Sequence, residues 1–312
     1  MPSVTLAESA KLAQNELISG VIASVITVDR FYDVLPFDGI EGNALAYNRE
    51  NALGDVDTYT VGDTIAAKAA ATFTLVTSSL TSIIGDAEVN GLVQATRSAA
   101  SDQEAVQIAS KAKSAGRKYR DMLINGSGGT QYTGLLALCD NSQKIFQDVA
   151  GNGVDTDGGN LTIAKLDELI DMVTDKDGVV DYLIMHARTI RSMNALLRGA
   201  GGATISEFIT LPSGVNIPSY RQIPVFRNDW LPTTQTRGAS GAVATSVIAG
   251  TLDDGSRLHG IAGMTASNAA GMVVERVGVH QSRDETITRV KWYCGLALFS
   301  LKGLAILGGV KN

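Results

Sequence analysis

From Ala105 the apolar positions recur at three- and four-residue steps through Ile108, Ala109, Ala112, Ala115, Tyr119, Met122 and Leu123. That spacing forms one narrow stripe and predicts a single long helix over residues 101–125. Ser101 followed by Glu104 has the spacing of a capping box at its start. Asn125-Gly126, residues that tolerate a left-handed backbone, predict its stop. Lys111, Lys113, Arg117, Lys118 and Arg120 fall mostly off the stripe and gather toward the C-terminal half. At 1.5 Å per residue the rod is roughly 36 Å long, enough to act as a spine against which sheets pack.

The pattern before this spine is of another kind. Residues 1–30 predict an amphipathic helix carrying Leu6, Leu12, Ala13, Leu17, Ile18 and Val21, and so an arm in need of a partner surface. Phe31, Tyr32, Val34, Leu35 and Phe37 form a dense apolar cluster that predicts a strand or extended arm up to Gly42. Ala44, Leu45 and Tyr47 open a long hairpin, Asp57 to Val61 continue it, and Phe73 and Leu75 alternate with Thr72 and Thr74 on its return. A two-stranded ribbon of such modest apolar content is not stable alone in water, and no later segment looks spare to cover it. A neighbouring subunit is the expected cover. Leu80 to Thr96 predicts a short helix or helix pair leading into the spine.

Beyond the spine, Asn141 to Asn160 is rich in Gly, Asp and Asn and marks a domain boundary. A helix is expected over Thr162–Thr174, a buried strand over Asp181–Met185 and a helix over Arg188–Leu197, then mostly strands and loops to Leu252. Met272–His280 and Thr286–Leu307 predict closing strands, with the last returning to the spine's unit. No internal repeat is found.

Composition narrows the function classes. The chain of 312 residues is 45% apolar and 19% charged, which describes an ordered protein with ample core. Aromatics at 5% and 33 glycines suit thin, interface-rich packing more than a deep apolar pocket. A net charge of −6 argues against a protein that gains affinity by neutralising phosphates. Cys139 and Cys294 are the two cysteines and read as buried small hydrophobes in a reducing compartment. Ile18–Val28 lacks a basic leader, and Lys291 and Lys302 interrupt the apolar run near the C-terminus, so a soluble, intracellular protein without a membrane span is expected.

Chemistry is sparse. His186, His259 and His280 stand apart, with no second His or Cys at ligand spacing, so no metal is expected. Gly199–Gly202 follows a helix and lacks a Walker lysine, which makes it a flexible loop. Asp155, Asp157 and Gly158 start like a calcium loop but no Glu closes it, and neither Ser127 nor Ser240 sits in a nucleophile elbow. No catalytic residue, cofactor site or enzyme activity is expected.

Several short motifs then occur in a telling order: Asn43-Ala44-Leu45, Tyr47 and Arg49-Glu50; Thr72-Phe73; Val93-Gln94-Ala95 with Arg97; Leu123-Ile124-Asn125-Gly126 before Gly134-Leu135; Ile223-Pro224-Val225; and Gly295 to Ala305. In this order and spacing the chain resembles the major capsid proteins of tailed bacteriophages, whose Johnson fold is shared with encapsulin shells. The resemblance covers about residues 43–312. Gln222 departs from it, standing where the family usually has glycine ahead of the Pro-Val strand.

The resemblance implies an α+β fold with an N-terminal arm (1–42) and an extended β-hairpin loop (43–80). It further implies a peripheral domain (81–140 and 286–312) around spine helix 101–125, and an inserted axial α/β domain (141–285). It implies self-assembly into pentamers and hexamers of an icosahedral shell around double-stranded DNA, bound without sequence specificity, and no membrane partner. Since no long charged helical segment precedes residue 43, a separate scaffolding protein is expected, together with a portal and room for a decoration protein. The place of action would be the virion capsid, assembled in the host cytoplasm. Arg49, Glu50, Lys68, Phe73, Arg117 and Arg120 are the candidate residues for subunit contacts, and Lys68 lies near the place where some relatives cross-link. One alternative is an encapsulin-like compartment for protein cargo. Another, of a different class, is an α/β enzyme with a polar cleft between its domains.

Overall fold

The computed structural model describes residues 30–64, 68–97, 102–147, 158–175, 178–199, 207–212, 214–237 and 242–311. The arm helix expected over residues 1–30 and most of the Gly199–Gly202 loop lie outside the described residues, as do Ser101, Asp155, Asp157 and Ser240. The first described residues bury aromatic side chains at once. Phe31 packs edge-on against Tyr182 and Phe226, with ring centroids 5.0 and 5.3 Å away, and Leu35 is also buried. The strand that follows, β1 (Phe37–Ile40), pairs in parallel with a strand far along the chain.

The ribbon forms as its alternation predicts: β2 (Ala44–Ala52) and β3 (Thr72–Ser79) pair antiparallel and make a two-stranded sheet with no third strand. The next segment corrects the sequence reading. Leu80–Thr96 is not mainly helical; β4 (Thr81–Asn90) fills most of it, and only α1 (Gly91–Arg97) is helix. Ile83, Ala87 and Val89 point inward at period two, but Ile84 points out and Gly85 breaks the run, which disguises a strand as a helix.

The spine is α2 (Gln103–Asn125), about 35 Å long at the usual rise. Its N-cap is Asp102, one residue later than expected: the carboxylate accepts the N–H groups of Glu104 and Ala105 at 3.1 and 3.3 Å. Glu104 is thereby free to accept the Thr288 hydroxyl at 2.6 Å. The stop also differs. Gly126 has φ −54° and ψ 126°, an ordinary extended backbone, so handedness is not why glycine stands there. A Cβ at Gly126 would lie 2.2 Å from the Tyr132 carbonyl oxygen, and one at Gly134 would lie 2.6 Å from the Gly126 nitrogen. The two glycines let the chain cross itself, and Gly134 donates to the Gly126 carbonyl at 2.9 Å. The short helix α3 (Leu135–Leu138) follows.

The remaining elements are β5 (Lys144–Phe146), β6 (Gly159–Asn160), α4 (Ile163–Thr174), β7 (Tyr182–Met185), α5 (Ala187–Gly199), β8 (Glu207–Thr210), β9 (Asn216–Tyr220), β10 (Ile223–Arg227), β11 (Gln235–Arg237), β12 (Ala242–Gly250), β13 (Ile261–Ala266), β14 (Met272–Val279), β15 (Glu285–Leu298) and β16 (Leu304–Lys311). They divide between two sheets. Five strands, β1, β13, β15, β14 and β4, form one, with α2 packed along β4 and β15. Nine form the other, in the order β5-β16-β12-β7-β10-β9-β8, with β11 on β12 and β6 on β16.

This partition corrects the boundaries expected above. The last strand does not return to the spine's sheet: β16 pairs with β12 in the larger one. Conversely β13 and β14, placed at 141–285 with the inserted unit, pair with β15 beside the spine. The second half of β15, from Cys294 to Leu298, and most of β16 are buried and largely apolar, and the tight turn Leu301–Gly303 between them carries the chain from one sheet to the other. Apolar content alone does not say which sheet a strand joins. A continuous core runs beneath both, including Tyr119, Leu123 and Leu135 from the spine region, Cys294 and Leu296 from one sheet, and Ile184, Ile248 and Ile306 from the other.

Gln222 answers the departure noted in the sequence. Tyr220 and Ile223 are paired, so Arg221 and Gln222 are a two-residue turn, with φ of 50° and 64°. The backbone is the left-handed one that a glycine adopts freely, held here by non-glycine residues at some conformational cost.

Candidate functional site

The ribbon is the part of the molecule whose chemistry is unfinished. Its base is fixed: the Tyr47 hydroxyl donates to the Leu298 carbonyl at 2.7 Å, and Arg49 Nε donates to the Phe299 carbonyl at 3.2 Å, with a second guanidinium nitrogen on the Leu298 carbonyl. Tyr47 also packs against Phe299, centroid to centroid 5.2 Å. Past this anchor the side chains meet mostly solvent. Phe73 and Leu75 are 63% and 67% exposed, and Leu53, Val56 and Val61 are more exposed still. An apolar run of this extent on one projection is uncommon on a self-sufficient subunit.

The six candidate contact residues do not converge on one site. Arg49 is spent within its own chain, where it clamps the ribbon to the end of β15, so it sets the ribbon's direction. Glu50 is exposed and lies opposite Phe73 in the register. Lys68 pairs with Asp57 at 3.0 Å and lies over the Tyr59 ring, which steadies the ribbon's outer part. That lysine holds the Asp57 carboxyl below the usual range. Arg117 is half-buried with its guanidinium 5.6 Å from the Trp230 ring centroid. Arg120, also a candidate for subunit contacts, is buried at 8% exposure.

Part of the spine's predicted stripe is also uncovered. Ala115, Tyr119, Met122 and Leu123 are buried, whereas Ala105 and Ala109 are exposed. The outer edge of β14 is another exposed apolar line: Val274, Val277 and Val279 are half or more exposed. The sequence reading missed β14 as a surface because its valines read equally well as core.

The described residues do not organise a catalytic centre. An open cleft of about 660 Å³ includes Asp175, Asp181, Asp254, His259 and Lys302 in its lining. Asp254 is held below the usual carboxylate range by the Ser256 hydroxyl and N–H, which leaves it a poor proton donor near neutral pH. Burial pushes the Cys139 and Cys294 thiols up to about 12, so neither is a thiolate nucleophile. Among the described residues no group of three His, Cys, Asp or Glu side chains is placed to hold a metal ion. Among them also, no helix is long and apolar enough to cross a membrane.

No protein-family model matches the sequence, and no curated protein matches it. Solved structures do match in three dimensions over nearly the whole chain. The holo-SrpI encapsulin complex from Synechococcus elongatus PCC 7942 is similar with a TM-score of 0.72 at 17% identity, covering 99% of this chain and 97% of that one. The chain has the Johnson fold. The capsid of cyanophage A-1(L) matches with a TM-score of 0.66 at 14% identity, over 97% of this chain and 98% of that one. The capsid of an empty GTA particle matches at 0.62 and 11% identity, over the full length of both.

Proposed function

We propose that this chain is the structural subunit of a closed icosahedral shell, built from pentamers and hexamers of itself and enclosing double-stranded DNA. The observation that carries the reading is the ribbon: a rigidly based projection whose large apolar side chains find no cover among the described residues of their own subunit. One chain repeated many times supplies that cover by laying each ribbon across a neighbour, with the same patches used at every contact. Phe73, Leu75 and the exposed ribbon residues would provide the buried area, Glu50 its polar rim, and Arg49 the fixed departure angle. The body around the nine-stranded sheet would gather at the five- and six-fold axes.

The similarity to phage and GTA capsids supports a virion capsid as the place of action. Assembly in the host cytoplasm with a separate scaffolding protein and a portal belongs to the same proposal. A subunit of net charge −6 suits a container in which packed DNA slides. The protein acts as a building block and not as an enzyme.

A second reading, a shell around protein cargo, is favoured by the encapsulin similarity. Negative-stain imaging of the expressed protein, alone and with a scaffold, tests both. Closed shells are expected. Shells that purify with nucleic acid support the first reading, shells that purify with an enzyme support the second, and a discrete monomer under every condition removes both.

A further inference from the structure

The acidic total conceals a cationic belt where the spine meets the larger sheet. Lys113, Arg117 and Arg120 stand at i, i+4 and i+7 on α2 and so share one face of the helix. Arg117 lies over Trp230, and Asn125 near the helix end donates to the Trp230 carbonyl at 2.9 Å, which ties this face to the chain just after β10. Arg227, at the end of β10, pairs in register with Met185, and Asn228 donates to the Met185 carbonyl at 3.0 Å. The next element after Met185 is α5, which places Arg191 one turn into that helix. The belt therefore runs from the spine across the end of β10 to the start of α5.

The acids beside it are already held: Asp229 by Arg227, whose Nε lies at 2.9 Å, and Asp121 by Lys118 at 3.4 Å. Among the described residues no carboxylate pairs with Lys113, Arg117 or Arg191. The electrostatics agree with the geometry, since Asp229 is held below the usual carboxylate range by Arg227 first, with His186 and Arg120 contributing.

The belt also lacks what a protein partner needs. Protein interfaces are built around an apolar centre depleted in charge. Among the described residues, the large apolar side chains this subunit exposes lie on the ribbon, on β14 and at scattered positions elsewhere, and none is on the belt. Guanidinium groups without carboxylate partners match phosphate oxygens, which accept their forked N–H groups in pairs.

We propose that the belt formed by Lys113, Arg117 and Arg191 is where this subunit touches the phosphate backbone of enclosed nucleic acid. The proposal rests on the shell reading and specifies its contents. The contact is weak and indifferent to sequence, in the range of roughly 10⁻⁴–10⁻⁶ M typical of non-specific binding. The surrounding negative charge keeps it from holding DNA in place.

The test is fluorescence anisotropy of a short DNA duplex with unassembled full-length subunits across a salt titration. The variant Lys113→Gln/Arg117→Gln/Arg191→Gln is expected to lose affinity and to flatten the plot of log K against log salt by about 2–3, since each lost phosphate contact removes about 0.9. Arg276→Gln on β14 is expected to leave the slope unchanged, and circular dichroism should show the triple variant folded. An unchanged slope in a folded triple variant overturns the proposal. So does polyglutamate binding more tightly than the duplex at equal charge, because the preferred partner would then be an acidic protein. Imaging both proteins separates the two inferences: subunits that never close into shells sink the shell reading, whatever the slope.

Discussion

The ribbon and the centre of the nine-stranded sheet use the same backbone pairing and differ in almost everything else. In the sheet, Leu183, Ile184, Val247, Ile248 and Leu307 are 0% exposed, and each central strand has neighbours on both edges and layers on both faces. On the ribbon, β2 and β3 have only each other, and Phe73 and Leu75 face solvent. The sheet is stabilised by folding of one chain. The ribbon has its hydrogen bonds from folding but must obtain its apolar burial from another source. On the proposed shell reading, the difference locates where stability of the subunit ends and stability of an assembly begins.

Substitutions on the two sides should separate these quantities. Ile248→Ala, which opens a cavity in the sheet, is expected to destabilise the subunit by about 2–5 kcal/mol in chemical denaturation. Phe73→Ala with Leu75→Ala should change subunit stability by less than about 0.5 kcal/mol, because neither side chain is packed. The same pair is expected to raise the concentration needed for shell assembly at least tenfold, measured by light scattering; an unaltered threshold would separate the ribbon from assembly. Tyr47→Phe removes the hydroxyl that holds the ribbon's base and should cost about 0.5–1.5 kcal/mol, with a looser ribbon visible as faster amide exchange in β2.

The smallest effect concerns acid. Arg289 grips Asp86 with two hydrogen bonds of 2.7 and 2.9 Å and holds its pKa below the usual value. A carboxyl whose folded pKa is depressed stabilises the fold fully above the unfolded value near 3.9 and loses that contribution as pH falls through the folded value. Asp86→Asn should therefore lower stability slightly at neutral pH and leave it less dependent on acid below about pH 4. No such change is expected in the ribbon, whose amide exchange in the variant should match that of the parent protein.

Much of this architecture was legible in the chain. The alternation around Phe73 announced the ribbon, the stripe from Ala115 to Leu123 the spine, and Leu166, Leu169, Ile170 and Val173 the helix α4. The misreadings share one cause. Ile84 faces outward from β4, so its neighbours mimicked helical spacing, and the end of β15 is as buried as β16 although they belong to different sheets. That Arg49 bonds the end of β15 and that Arg120 is buried could not be read from the chain, because a long charged side chain gives no sign in sequence of what its own chain will do with it. The cationic belt was hidden for a related reason: Arg117, Arg191 and Arg227 lie on three elements distant in sequence, and the net charge averages them away.

What the amino-acid order decided was local: which segments are helix or strand, where Gly126 and Gly134 let the backbone cross, and that one ribbon would emerge with apolar side chains to spare. Periodicity and steric allowance act over a few residues, so they can be read one stretch at a time. The tertiary structure alone decided that β16 closes the larger sheet, that β13 and β14 join the smaller, and that Arg191 and Arg227 both come near His186. Pairing between distant strands depends on which surfaces come together once the whole core has condensed, and no short stretch of the chain carries that information.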